Sequence, residues 1–252
     1  MPTISISIIG HNESRNLKGC FESAKWADQI VYVDCASADD SAVIAGAYTA
    51  DILRVKNEPN LNINKQRGID QCRCDWIFYL DPDERITDGL KTEILSAISR
   101  AEAGTAAFSV PRRNHYLGRW LKHGGKYPDM QLRLFRNKKA RFPCLHVHEK
   151  LSVDGEISEL EAPLEHFPYA DVADIVAKSD FYTSRKAEYL FSSKREMDHY
   201  ILRGISRFFR DYILRLGFLD GEPGAAAAVM DAYNEIFAGL KLKEMRRNGR
   251  ER

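Results

Sequence analysis

Apolar runs and amphipathic stretches alternate along the first part of the chain. Strands are predicted by apolar runs at residues 3–9, 29–33, 51–55 and 76–80. Helices are predicted by apolar positions at helical spacing in residues 16–24, 41–48, 62–72 and 88–101. Strands that alternate with helices of this length favour right-handed crossovers and a mainly parallel α/β sheet flanked by helices.

The regular alternation stops after one further predicted strand at residues 106–112. Residues 114–128 are rich in glycine, histidine, lysine and aromatic side chains, a composition typical of a binding loop. Residues 131–136 and 140–148 then predict strands of a small antiparallel addition.

The chain turns helical from Val172 onward. A helix predicted at residues 200–218 sets an apolar face against an arginine face, and a last helix is predicted at residues 225–245. Such helices most often pack on a sheet, but an apolar face beside arginines also suits a surface of anionic lipid headgroups. We therefore expect an α/β domain at residues 1–168, followed by a C-terminal helical region at residues 169–252.

Composition narrows the classes of protein that the pattern allows. With 252 residues and 44% hydrophobic residues the chain can bury a core, and it has no apolar run long enough to span a bilayer. The N-terminus passes directly into a strand pattern without the features of a signal peptide, so we expect a cytoplasmic protein. A net charge of +1 gives no reason to expect a nucleic-acid partner, and the five cysteines lack zinc-type spacing.

Three carboxylates surround a proline where the fourth apolar run ends. Asp81 and Asp83 flank Pro82, and Glu84 follows directly. Two carboxylates separated by one residue can hold a hard divalent cation and leave positions open for phosphate oxygens. Asp81 and Asp83 are therefore candidate ligands of Mg²⁺ or Mn²⁺, with a plain acidic turn as the alternative.

Further polar residues lie near the carboxyl ends of the predicted strands. Asn12 and Glu13 follow the first strand, and Asp34 ends the second. The carboxyl ends of parallel strands meet at one edge, where open α/β sheets bind ligands. Arg67, on the helix before the fourth strand, is a candidate contact for a phosphate or a base, and Asp34 can accept an N–H from a base. These residues predict a nucleotide-diphosphate site.

Four motifs follow one another along the chain, at residues 8–13, 33–41, 65–68 and 76–84. In order and spacing they resemble the family two glycosyltransferases of the GT-A fold. Within that family the chain is most similar to the lipopolysaccharide core glucosyltransferases that add glucose to heptose. Residues 127–135, 148–149 and 217–221 agree with these enzymes more loosely.

The resemblance implies an inverting transfer of a sugar, expected to be glucose, from a UDP-sugar. The implied acceptor is a saccharide, either lipopolysaccharide inner core or another glycolipid. For the donor, the resemblance implies a uracil contact from Asp34 and a ribose or base contact near Asn12 and Glu13. It also implies a diphosphate-bound Mg²⁺ or Mn²⁺ held through Asp83, with Asp81 on the ribose or on the metal.

An inverting displacement needs a carboxylate base beside the acceptor hydroxyl. The resemblance favours Asp129, which follows the glycine-containing loop and precedes a strand, and Glu149 is the second candidate. A turn or capping aspartate is the alternative role for Asp129.

Histidines and arginines in the second half of the chain are further candidates. His146 and His148 alternate on a predicted strand, and His148, next to Glu149, is the preferred metal ligand, with His166 as a weaker one. A hydrogen-bonded surface histidine is an equal alternative. Arg133 and Arg136 could contact donor phosphates or lie on the solvated face of a strand.

Other functions remain open from the sequence. A nucleotidyltransferase shares the nucleotide-binding sheet, but it usually has a glycine-rich basic loop after the first strand. Residues 10–13 are neither glycine-rich nor basic, which argues against this function. Loss of the metal-binding carboxylates or of the base would support a catalytically silent binding module, yet Asp81, Asp83 and Asp129 are all present. A polyprenyl phosphate, a capsular glycan or a protein side chain is an alternative acceptor.

Overall fold

The structure is a computed structural model that describes residues 1–145 and 149–250. It divides into two compact units, residues 1–112 with 129–166, and residues 113–128 with the chain from 167 onward. The division of the chain at residues 168 and 169 into a catalytic domain and a helical region stays a prediction.

The first unit holds the α/β part of the chain. Up to residue 100 its elements are β1 (Ile4–Gly10), α1 (Ser14–Ala24), β2 (Gln29–Asp34), α2 (Ser41–Gly46), β3 (Ile52–Arg54), α3 (Leu61–Asp70), β4 (Trp76–Leu80), β5 (Glu84–Ile86) and α4 (Asp88–Arg100). The strands that follow are β6 (Thr105–Tyr116), β7 (Arg119–Trp120), β8 (Asp129–Arg136), β9 (Ala140–Arg141), β10 (Ser152–Val153), β11 (Glu156–Glu159) and β12 (Leu164–His166). Of these, β7 and the end of β6 belong to the second unit.

The main sheet has the strand order β3-β2-β1-β4-β8-β6-β12-β5. The first four strands in this order are parallel, which confirms the predicted mainly parallel arrangement. Strand β8 lies between β4 and β6 and is antiparallel to both. In register, Gly10 pairs with Asp34 and Ile8 pairs with Leu80, so β1, β2 and β4 end at the same edge of the sheet.

Continuous apolar runs formed central strands because both faces of the sheet are covered. All seven residues of β1 are buried. On one face Leu17 and Phe21 of α1 and Ile94 of α4 join the largest core cluster. On the other face Ile69 of α3 packs in a smaller cluster with Ile77 of β4.

The strand predicted at residues 140–148 is wrong in its length. Within the described part, the strand covers Ala140–Arg141 and does not include residues 142–145. Pro143 lacks a backbone N–H, and Cys144 has a φ of 63°, so neither suits a strand ladder. The predicted residues 146–148 lie outside the described residues.

The second unit is helical, with α5 (Val172–Ser192), α6 (Tyr200–Phe209) and α7 (Gly221–Arg250). The single helix predicted at residues 200–218 is wrong, because a π-helical segment at Arg210–Leu214 and a 3₁₀ turn at Gly217–Asp220 follow α6. Leu216 has a φ of 59° between these segments and breaks the helix. Helix α7 begins at Gly221, before the predicted start at residue 225, so residues 221–224 are also helical.

None of the helices in the described part of the chain is long and apolar enough to cross a membrane.

Candidate active site

The carboxyl end of β2 carries a buried carboxylate. Asp34 is its last residue, and the backbone N–H of Ser37 donates a hydrogen bond to Asp34 Oδ1 at 3.3 Å. The neighbouring strand ends at Gly10, where a Cβ would lie 2.9 Å from the hydroxyl oxygen of Tyr32. Glycine at this position therefore lets the chain turn close to the end of β2.

The turn after β1 is fixed by hydrogen bonds to the loop that follows β2. Asn12 has a φ of 56°, its N–H donates to Ser37 Oγ at 3.0 Å, and its Oδ1 accepts from the N–H of Ala38 at 2.8 Å. The N–H of Glu13 donates to Ser41 Oγ at 2.9 Å. The structure thus joins the two predicted donor-binding loops into one polar edge.

Arg67 lies on α3 beside this edge. Its NH1 donates to Asn64 Oδ1 at 2.9 Å and its NH2 to Glu58 Oε1 at 3.3 Å, while 40% of its side chain stays exposed. Burial raises the pKa of the Cys35 thiol to about 11, and the charges of both Asp34 and Arg67 also act on it. Asn64, which accepts from Arg67, also donates through Nδ2 to Cys35 Sγ at 3.2 Å, so Arg67 lies near the residue that follows Asp34.

Asp81, just beyond β4, is held by two cations. Lys65 Nζ lies 3.0 Å from its Oδ1, and Arg133 NH2 donates to its Oδ2 at 2.7 Å. Burial raises the pKa of this carboxyl, but the positive charges of Arg133 and Lys65 outweigh burial and hold the pKa well below its usual range. Both oxygens of Asp81 are thus engaged in ion pairs.

The ion pairs continue from Asp81 to the candidate base. Arg133 NH2 also donates to Glu84 Oε1, and Arg112 NH1 donates to the same oxygen at 3.3 Å. Arg112 then donates to Asp129 Oδ2 through NH2 at 2.7 Å and through Nε at 3.0 Å. We call the six residues Lys65, Asp81, Arg133, Glu84, Arg112 and Asp129 the charge chain.

The middle of the charge chain is buried. Glu84 is 0% exposed and Arg133 is 2% exposed, with its guanidinium stacked 4.2 Å from the ring centroid of Tyr79. The outer end is more open, because 31% of the Asp129 side chain is exposed. Asp129 Oδ1 accepts a further hydrogen bond from Gln131 Nε2 at 2.7 Å. Asp129 is therefore oriented from two sides and still reachable by a ligand.

Asp83 lies in a different environment from Asp81. His166 Nε2, on β12, lies 3.4 Å from Asp83 Oδ2, and the two side chains are 14% and 23% exposed. A carboxylate beside an imidazole offers oxygen and nitrogen donors to a divalent cation. No group of three or more metal-binding side chains occurs among the described residues. The preferred histidine, His148, lies outside the described residues.

Glu149, the second candidate base, holds the local backbone. Its two carboxylate oxygens accept hydrogen bonds from the N–H of Leu145 at 3.0 and 2.9 Å. Leu145 is exposed. The assignment of a base at Glu149 stays a prediction.

Arg133 and Arg136 do not lie on a solvated strand face. Arg133 is buried in the charge chain, and Arg136 donates to the carbonyl of Thr105 at 2.8 Å and stacks on Trp76. The sequence pattern missed the roles of Lys65, Glu84 and Arg112 in joining Asp81 to Asp129. The available signal was an acidic residue directly after the Asp-x-Asp element, together with arginines on two later strands.

The predicted binding loop belongs to the second unit, where one buried and one partly buried carboxylate hold it. The N–H and Nδ1 of His123 both lie 2.8 Å from carboxylate oxygens of Asp220, which is 2% exposed. Lys126 Nζ donates to Asp231 Oδ2 at 2.6 Å. The N–H of Gly124 donates to the carbonyl of Arg215 at 2.8 Å. The loop is thus fastened to the C-terminal helical segments.

Comparison with known proteins places these observations in a family. The model of the family described as "Glycosyl transferase family 2" matches residues 5–151. A lipopolysaccharide core biosynthesis glycosyltransferase, LpsC, of Rhizobium meliloti is 28% identical over 91% of this chain and 90% of its own length. An uncharacterized glycosyltransferase, RP128, of Rickettsia prowazekii is 24% identical over 97% of this chain and 88% of its own length.

Among solved structures, glucosyl-3-phosphoglycerate synthase from Mycobacterium tuberculosis in complex with Mg²⁺ and UDP is similar to part of the chain. It is 18% identical over 46% of this chain and 44% of its own, with a TM-score of 0.37.

Proposed function

The chain belongs to glycosyl transferase family 2 and has the GT-A fold, and from this we propose that it is an inverting, metal-dependent transferase that uses a UDP-sugar. The proposed sugar is glucose, and the proposed acceptor is the lipopolysaccharide inner core or another glycolipid. The observation that carries the proposal is the charge chain, which connects Asp81 at the donor edge with Asp129, the proposed base.

The donor would bind at the edge where β1, β2 and β4 end. Asp34 accepts an N–H of the uracil, and Asn12 and Glu13 lie beside the base and ribose. Arg67, whose side chain is 40% exposed, contacts the diphosphate through its guanidinium in this arrangement. Asp81, already held by two cations, lies at the ribose in this arrangement.

The donor set fits a hard divalent cation at Asp83. Asp83 and His166 would hold Mg²⁺ or Mn²⁺, and His148 stays a proposed ligand outside the described residues. When bound, the cation takes up negative charge that develops on the diphosphate leaving group. Asp81 is less suited to direct ligation because Lys65 and Arg133 already bind its two oxygens.

The transfer is a single in-line displacement at the anomeric carbon. The acceptor hydroxyl oxygen forms a bond to that carbon while the bond from the carbon to the diphosphate breaks and UDP leaves. Asp129 takes the proton of the hydroxyl, held in orientation by Arg112 and Gln131. Glu149 is the alternative base.

Similarity to the lipopolysaccharide core biosynthesis glycosyltransferase of Rhizobium meliloti supports the proposed acceptor. A polyprenyl phosphate, a capsular glycan or a protein side chain are the alternatives. We include peripheral association with an anionic membrane surface, at the inner face of the cytoplasmic membrane, in the proposal.

Calorimetric titration of UDP and UDP-glucose, with and without Mn²⁺, tests the donor site. We expect metal-dependent binding to the wild-type chain and loss of the metal dependence in Asp83→Asn and His166→Ala. Asp154→Asn is the matched control, because Asp154 is an exposed carboxylate paired with Lys139. Absence of UDP binding to the wild-type chain, both with and without Mn²⁺, would overturn the proposal and favour a silent binding module.

A second measurement separates catalysis from binding. Release of UDP from UDP-glucose is followed in the presence of purified core oligosaccharide, and the product is analysed for its anomeric configuration. Inversion with a turnover that requires the oligosaccharide supports the proposal. Retention of configuration would exclude a single displacement.

A further inference from the structure

Helix α6 and the segment after it expose a continuous apolar surface. Its large side chains are between 45% and 77% exposed. They are Ile201, Leu202, Ile205, Phe209, Ile213 and Leu214, and we call them the α6 face. Contiguous exposed apolar surface of this kind marks an interaction site.

The α6 face points away from the rest of the second unit. The opposite side of α6 carries Gly204, where a Cβ would lie 2.5 Å from Ile236 and 2.9 Å from the carbonyl oxygen of Ala232, both on α7. Seven residues further on, Asp211 is buried. Folding of the second unit therefore uses the glycine side of α6 and leaves its apolar side uncovered.

Solvent-exposed arginines border the α6 face. The side chains of Arg203, Arg210 and Arg215 are 58%, 43% and 49% exposed. The carboxylates that pair with them are covered, since Asp211 is 2% and Glu235 is 19% exposed. The charge that this surface presents outward is therefore positive, although each arginine has an acidic partner beneath it.

We propose that the α6 face docks on a lipid bilayer that carries anionic headgroups. A helix with an apolar face and bordering arginines binds in the plane of such an interface, with apolar side chains below the headgroups and guanidiniums at their level. A second copy of the chain fits less well, because a two-fold contact would bring the arginines of both copies together. The inference extends the proposed function, and its value for the enzyme rests on that function, since it brings the enzyme to a glycolipid acceptor. The residues that carry it belong to the second unit and not to the donor site.

Flotation of the full chain with vesicles tests the proposal without nucleotide or acceptor. We use vesicles of phosphatidylcholine alone and of phosphatidylcholine mixed with phosphatidylglycerol. The variants are Phe209→Ser with Leu214→Ser on the α6 face, and Arg203→Gln at its border. The matched control is Val43→Ser with Leu95→Ser, two exposed apolar residues on α2 and α4.

The wild-type chain and the control should float with the anionic vesicles and not with phosphatidylcholine alone. The double variant should bind at least about tenfold more weakly for each side chain removed, and Arg203→Gln about fivefold more weakly. Equal binding by the double variant and the control would overturn the proposal, as would a wild-type chain that does not float.

Sedimentation of the same proteins tests whether a second copy of the chain binds to the α6 face instead. A wild-type dimer that the double variant converts to a monomer would overturn the membrane proposal in favour of a second copy. Because the vesicle assay contains no UDP-sugar, its failure would leave metal-dependent UDP binding intact, and failure of the donor titration would leave flotation intact.

Discussion

Replacing Glu84 by glutamine perturbs the centre of the charge chain with little change in volume. Glu84 is fully buried, and its Oε1 accepts from both Arg133 and Arg112. Its Oε2 accepts from the N–H of Asp81 at 3.1 Å. An amide keeps one acceptor oxygen but presents an NH₂ group as its other end. The variant therefore leaves Arg133 without the fully buried one of its two anionic partners.

The magnitude follows from this geometry. Removing one partner of a buried ion pair costs about 3–5 kcal/mol, because the remaining charge stays buried. The retained amide oxygen and the second anion of Arg133, Asp81, place the expected loss of unfolding free energy near the lower end, at about 3 kcal/mol. For a chain of this length that corresponds to a decrease in melting temperature of about 6–12 °C.

Thermal unfolding followed by circular dichroism measures the stability, and UDP release measures the turnover. We expect Glu84→Gln to lower kcat about 100-fold with a small change in the KM of the donor, since misplacing a base by about 1 Å has such an effect. Glu22→Gln is the matched control, because Glu22 forms an exposed pair with Lys25 that should contribute little. An unchanged melting temperature and kcat in Glu84→Gln would refute the reasoning.

Three further predictions follow from single residues. The folded-state pKa of Asp81 is depressed, so its contribution to stability is present above its unfolded pKa and is lost as the pH falls below about 4. Asp81→Asn should therefore show a smaller loss of unfolding free energy at acid pH than the wild-type chain, as measured by urea unfolding. Asp129→Asn should lower kcat by about 10²–10⁴ while calorimetry shows unchanged UDP binding, and a loss of UDP binding would argue against a base. Gly217→Ala should lower the unfolding free energy by about 1–3 kcal/mol, because its Cβ would lie 2.6 Å from the carbonyl oxygen of Asp211. Gly46→Ala on α2 is the control for Gly217→Ala and should be neutral or stabilising, since nothing lies within 4 Å.

The parallel half of the sheet could be predicted from the sequence because its strands are buried on both faces. Continuous apolar runs such as residues 76–80 have few other interpretations when polar turns and amphipathic helices separate them. The register then places Asp34 and Asp81 at one edge, as the topology of parallel strands requires. Short-range sequence patterns are therefore enough to predict this part of the candidate site.

The charge chain could not be predicted in the same way. Its members come from residues 65, 81, 84, 112, 129 and 133, and they meet because β8 inserts between β4 and β6. The apolar pattern predicts that residues 131–136 form a strand, but it carries no information on its neighbours. Arg133 is in this respect the most instructive residue, since an arginine in an alternating strand normally indicates a solvated face and here is buried.

The helix predicted at residues 200–218 failed for a related reason. Its apolar and arginine faces are regular, so the periodic signal continues through the point where the α-helical geometry ends. The buried Asp211 attracts Arg207, Arg210 and Arg215, and Gly217 then packs against the backbone of Asp211. Buried ion pairs and a close backbone contact depend on tertiary structure, which a helical period does not record.

The two aspartates of the Asp-x-Asp element illustrate how a symmetric motif acquires distinct roles. In the sequence Asp81 and Asp83 are equivalent carboxylates on either side of Pro82. In the structure Asp81 has both oxygens in ion pairs with Lys65 and Arg133, whereas Asp83 lies beside the imidazole of His166. A carboxylate whose oxygens are both paired with cations has little remaining attraction for a metal ion, whereas the imidazole beside Asp83 can add a nitrogen ligand to the carboxylate oxygens. The same difference makes Asp81 the start of the charge chain that positions Asp129, so its substitution should affect stability and orientation before it affects the metal.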